Sequence, residues 1–153
     1  MSLEIMEEAA REVLETTAGL TVLAARRPAG PEERFDGLVA TIALGGTCGG
    51  TLVLYCHRPV ASTMAAAMLG LDGREPDDES VRDALGELLN QIGGSIKRRL
   101  GASGRELALS VPVVVAGAPL AHRVKSTVPP VCVELETGRG PLCVCLWAAK
   151  GTT

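Results

Sequence analysis

The chain has 153 residues, a formal net charge of −3, and 46% hydrophobic against 22% charged residues. Such a composition describes one globular domain, long enough to bury roughly 70% of its unfolded surface, and it contains neither a long polar tract of the disordered kind nor a run of roughly 18 apolar residues to span a membrane. The 15 basic residues are scattered apart from short clusters at Arg26-Arg27 and Lys97-Arg98-Arg99, and Phe35, Tyr55 and Trp147 are the only aromatics, so a nucleic-acid partner is not expected.

Residues 3–17 have helical periodicity with Glu and Arg on the wet side, and Gly19 is a natural stop. The same segment lacks the basic start and apolar run of a signal peptide, which leaves the cytoplasm as the expected compartment. Residues 20–25 read as a short strand, followed by a polar loop over 26–33 that carries Pro28, Gly30 and Pro31. Residues 38–44 and 51–56 are β-like runs joined by the glycine-rich segment 45–50, which predicts a hairpin. That segment lacks the Lys-Ser or Lys-Thr ending of a phosphate loop.

A second helix, rich in Ala and Met, is predicted over 59–69 and is broken by residues 70–76. A long third helix begins after Asp77-Asp78, where carboxylates favour a helix N-terminus, and runs to about Leu100. Residues 106–116, 128–136 and 142–148 are strand-like, with turns expected at 117–119 and 138–141. Tandem short strands pair antiparallel, so the expected architecture is a single α+β domain over 1–153: a mostly antiparallel sheet of about six strands with long helices packed against it.

Most reactive side chains have an ordinary explanation. The five cysteines, Cys48, Cys56, Cys132, Cys143 and Cys145, show no metal-like spacing and read as small apolar strand residues of a reducing compartment. His57 and His122 have no partner visible in sequence, and neither Ser103 nor Ser110 sits in a nucleophile elbow.

The long helix is different. At about 100° per residue, Asp83, Glu87, Asn90 and Gly94 share one narrow face, while Leu85, Leu88, Leu89, Ile92 and Ile96 fall opposite. A helix anchored by one side thus turns a carboxylate, a carboxamide and a glycine to solvent, where stability asks for nothing so specific. Asn90 is the sole asparagine of the chain. Gly93 and Gly94 in mid-helix each cost about 1 kcal/mol relative to alanine, which calls for a close approach, either to the protein's own sheet or to a partner.

The pattern Asp83, Glu87, Asn90, the continuation Gln91-Ile92-Gly93-Gly94-Ser95-Ile96-Lys97, the strand Leu109-Ser110-Val111-Pro112-Val113-Val114-Val115-Ala116-Gly117 and the upstream Met64-Ala65-Ala66-Ala67-Met68-Leu69-Gly70 together resemble the CheC, CheX and FliY group of chemotaxis phosphatases. The likeness covers most of residues 38–148, and its single motif copy is similar to the CheX type. It implies a CheX-like fold and hydrolysis of the aspartyl phosphate of a CheY-like response regulator. In that reading Asn90 orients the attacking water, Glu87 contacts the receiver, and Asp83, Gly86, Gln91 and Gly94 contribute to partner binding. The chain shows no carboxylate cluster of its own suited to Mg2+, so no metal or cofactor is expected on it and Mg2+ is expected on the phosphorylated regulator; the resemblance further implies a homodimer. The alternative is a non-catalytic module on the same scaffold that only recognises receivers, related to the flagellar switch proteins.

Overall fold

Ser2 opens the first helix by accepting the Ile5 N–H on its side chain at 3.3 Å, and α1 follows over Leu3–Thr16 in the computed structural model, which describes residues 1–32 and 34–149. Pro59 sits in the first turn of α2 (Arg58–Leu69), where its missing N–H costs nothing, and Gly70 ends the helix at φ +65°. Asp77 caps α3 (Asp78–Gly101) by accepting the Ser80 N–H at 2.7 Å. That bond holds the Asp77 carboxyl below its ordinary range.

The strands are β1 (Val22–Arg26), β2 (Arg34–Gly46), β3 (Gly50–His57), β4 (Leu107–Leu109), β5 (Val113–Ala121), β6 (Val131–Thr137) and β7 (Gly140–Ala148). They form one antiparallel sheet of seven strands in the order β1-β6-β7-β3-β2-β4, with β5 also pairing with β2. The 20–25 strand is displaced to Val22–Arg26, and the following loop, expected over 26–33, ends on Glu33, which lies outside the described residues.

Three details of the C-terminal third differ from expectation. Residues 106–116 are not one strand: between the pairs Leu44↔Leu109 and Thr41↔Val113, three residues face two, and this bulge divides β4 from β5 and makes the strand count seven rather than six. Pro112 has no N–H to give to a ladder, and Ser110 supplies the pairing instead, donating its N–H to the Ala43 carbonyl at 3.0 Å and accepting the Ala43 N–H on Oγ at 2.9 Å. Gly117-Ala118-Pro119 is not a turn but lies within β5, where Gly117 pairs with Gly37. The strand expected from 128 starts at Val131, because Pro129 and Pro130 cannot donate to β7.

Helices α1, α2 and α3 lie on one sheet face and bury a single core with Leu38, Ile42, Leu52, Leu54, Val133, Leu135, Leu142 and Val144. Leu85, Leu88, Leu89, Ile92 and Ile96 are fully buried. At about 1.5–3 kcal/mol for each such side chain, they fix the rotation of α3 about its own axis. Among the described residues, no helix is long and apolar enough to cross a membrane.

The opposite face carries a smaller cluster of Phe35, Val39, Val53, Tyr55, Cys132, Cys145 and Trp147. Cys48 and Cys56 are buried and free, as small apolar residues. Cys132 and Cys145 are not: register places them directly opposite one another on β6 and β7, with Cα atoms 4.1 Å apart, and they form a disulfide. The expectation that all five cysteines are reduced packing residues fails there, because cross-strand register joins residues 13 positions apart.

Candidate functional site

Helix α3 runs for 24 residues, and its orientation is set from below and from one side. From below, the leucine and isoleucine stripe is buried in the core. From the side, α1 grips it through charge. Glu12 accepts the Ser95 hydroxyl at 2.8 Å and Arg99 Nη2 at 2.8 Å on one oxygen, and Arg98 Nη2 at 3.3 Å on the other. Arg99 Nη1 also donates to Glu8 at 2.9 Å. The Ser95 hydroxyl, and after it Arg99, hold the Glu12 carboxyl below its usual range. Ser95 is fully buried, so the clasp satisfies a hydroxyl that would otherwise be costly.

With the helix held this way, Asp83, Glu87 and Asn90 all face solvent, and Gly94 lies half-buried on the same face. The Asn90 carboxamide makes no hydrogen bond within the described residues. On this exposed residue two donor hydrogens and an acceptor oxygen are left unengaged, the combination that can hold a water in one orientation.

The glycines divide. A Cβ added at Gly94 would meet nothing within 4 Å, so the helix backbone is bare to an approaching molecule there. At Gly93 it would meet Leu109 Cδ1 and Cδ2 at 3.2 and 3.3 Å, and at Gly86 it would meet Val114 Cγ2 at 3.3 Å and Pro112 Cγ at 3.6 Å. Both are buried, and their close approach is to this protein's own β4 and β5. Gly86 therefore underlies the exposed face rather than forming part of it.

Gln91 is half-buried and has both ends of its amide engaged. Its nitrogen donates to Glu87 Oε1 at 3.0 Å, and its oxygen accepts the Thr17 hydroxyl at 2.5 Å. Thr17 follows α1, so the helix that braces α3 also fixes the carboxylate on its exposed face. The four-residue spacing of Glu87 and Gln91 is readable in sequence. Thr17, 74 positions from Gln91, gives no such signal.

The two histidines are partnered: His57 Nε2 lies 3.3 Å from Glu32 Oε1, and His122 Nδ1 lies 3.2 Å from the Tyr55 hydroxyl. They belong to the helix-free side of the sheet. On that side too is a cavity of about 170 Å³ lined in part by Phe35, Tyr55, His57, Glu134 and Cys143. Burial, then Glu134 and Glu32, push the Cys143 thiol up to about 12. None of these groups shares a surface with Asn90.

The family model for the chemotaxis phosphatase CheX matches residues 38–136, a stretch that includes all of α3. A search of curated proteins finds no match. Among solved structures, a chemotaxis protein CheX from Desulfovibrio desulfuricans superposes with a TM-score of 0.81 at 23% identity over 95% of this chain and 97% of that one. CheX from Borrelia burgdorferi, in its complex with CheY, BeF3 and Mg2+, gives 0.80 at 18% identity over 97% of each chain. FliY from Thermotoga maritima gives 0.63 at 19% identity over 97% of this chain and 92% of that one.

Proposed function

The chain belongs to the chemotaxis phosphatase CheX family, and we propose that it hydrolyses the aspartyl phosphate of a CheY-like response regulator. The observation that carries this is the joint exposure of Glu87 and Asn90 on one face of a helix whose other side is locked into the core.

An acyl phosphate is already reactive, so catalysis needs a water placed in line behind phosphorus more than it needs covalent chemistry. The Asn90 carboxamide donates to and accepts from that water. Its neutrality spares it repulsion by a phosphoryl group carrying nearly two negative charges. The water oxygen bonds to phosphorus, the bond from phosphorus to the aspartyl oxygen breaks, and the regulator's carboxylate and inorganic phosphate leave, the water's proton passing to the phosphate. Glu87, held by Gln91, presents its carboxylate to the ammonium of a lysine beside the phosphorylated aspartate and so fixes docking register. Asp83, one turn earlier, adds a second acidic contact, and Gly94 lets the partner come close to the backbone.

Magnesium belongs to the regulator in this scheme, and the magnesium in the Borrelia CheX–CheY complex supports that placement. A receiver substrate would put the reaction in the cytoplasm. The surface of β5 and of the segment before it suits a second copy of this chain, since Val111, just ahead of the strand, and Val113 and Val115 within it are apolar and exposed, at 82%, 63% and 48%. Light scattering tests this: a dimer in the parent that becomes a monomer in Val113→Lys supports it, and a monomeric parent rejects it.

Turnover is tested by following loss of phosphate from phosphorylated regulator. The parent shortens the phosphate lifetime, and Asn90→Ala removes the effect while still binding the regulator. A parent that binds the regulator and leaves the lifetime unchanged would instead identify a non-catalytic recognition module, and an Asn90→Ala variant as fast as the parent would remove Asn90 from the mechanism.

A further inference from the structure

Three cysteine sulfurs gather on the helix-free face of the sheet. Cys132 and Cys145 oppose one another across β6 and β7, and Cys143, two residues along β7, projects to the same side of the pleat. The three sulfurs all lie within 4.8 Å of one another, and Cys143 Sγ is 3.6 Å from Cys145 Sγ. Two equivalents of a small thiol convert the Cys132–Cys145 disulfide to two protein thiols, themselves becoming one molecule of the small disulfide, and leave a cluster of three thiols.

We propose that this reduced trio, Cys132, Cys143 and Cys145, is a binding site for a soft, thiophilic cation of the Cu(I) class. Metal–sulfur bonds of roughly 2.3 Å around one ion set sulfurs about 3.8–4.0 Å apart, close to the spacing Cys143 and Cys145 already have. Opening the disulfide frees the Cys132 side chain to turn about its Cα–Cβ bond toward the same spacing. A donor set of sulfur alone selects soft ions, whereas Mg2+ and Ca2+ require oxygen. Cys132 and Cys145 are buried among Val53, Tyr55 and Trp147, which keeps water from competing.

Access and electrostatics agree with a cation. Cys143 lines the cavity of about 170 Å³ together with Glu32, His57 and Glu134, and Glu134 faces Cys143 directly in the strand register. A positive ion entering there passes two carboxylates before meeting sulfur.

The test uses the full chain, reduced with a small thiol, desalted without oxygen, and titrated with Cu(I) against a chromophoric Cu(I) chelator. The parent should withhold one equivalent per chain, and Cys143→Ser should bind at least about 10–100-fold more weakly, the loss that even outer-shell changes produce at metal sites. Cys48→Ser and Cys56→Ser, buried free cysteines outside the cluster, should match the parent. Circular dichroism checks that each variant is folded. A reduced parent that withholds no copper, a folded Cys143→Ser that binds as tightly as the parent, or an equal weakening in Cys48→Ser would each overturn the proposal.

Discussion

The side-chain amide of Gln91 donates to the Glu87 carboxylate at 3.0 Å while its oxygen receives the Thr17 hydroxyl. A surface carboxylate is thereby tied to the end of a different helix. Gln91 reads as a partner contact from its place in the motif run, and the fold gives it a second task, holding Glu87. Gln91→Ala should leave the melting temperature nearly unchanged and lower the efficiency of regulator dephosphorylation by about two- to tenfold, the worth of one ordinary hydrogen bond. Thr17→Val should act in the same direction, and the two together should lose less than the product of the separate losses. Initial rates at several regulator concentrations check this; fully multiplicative effects would break the relay.

Asn90→Asp keeps the size of the side chain and adds a negative charge to an exposed position. Loss of activity comparable to that of Asn90→Ala is expected, because the carboxylate repels the phosphoryl group and can no longer donate to water. Folding should be untouched in both. Activity retained in Asn90→Asp would show that shape, and not amide chemistry, is what position 90 contributes.

The two adjacent glycines should answer oppositely to enlargement. Gly94→Ala enters open space and should stabilise the helix by up to about 1 kcal/mol, while Gly94→Leu should fold and yet weaken regulator binding. Gly93→Leu drives a side chain into Leu109 and should cost roughly 1–3 kcal/mol of stability. Chemical denaturation and a regulator-binding titration on the same preparations separate the two effects.

Glu12 and Asp77 carry carboxyls held below the ordinary range, by Ser95 then Arg99 and by the Ser80 N–H. Groups depressed in the folded state contribute stability that is present above the unfolded value and is lost as pH falls through the folded one. Melting temperature should therefore be flat toward neutral pH and decline on acidification through and below the usual carboxylate range. Glu12→Gln should have a lower plateau and a shallower decline. A parent curve rising toward acid would contradict the assignment of both carboxyls.

The periodicity of residues 78–101 was enough to place Asp83, Glu87, Asn90 and Gly94 on the wet side of a helix, since 3.6 residues per turn and a leucine stripe fix the face without reference to anything else. The start of α3 at Asp77-Asp78, the break of α2 from Gly70 and the β2–β3 hairpin were legible for the same reason: each depends on neighbours within a few positions. Whatever depended on register or on packing between distant segments was not. Seven strands replace six because Pro112 and the Ser110–Ala43 exchange interrupt a pattern that looks continuous along the chain. Gly86 and Gly93 are spent on the protein's own strands, Thr17 reaches Gln91, and three of five cysteines converge, all through contacts between parts of the chain that local propensity treats as independent. A single chain states what each element is and which side of it is wet; only the closed sheet, with its alternation of faces and its fixed pairing, decides which of those sides meet.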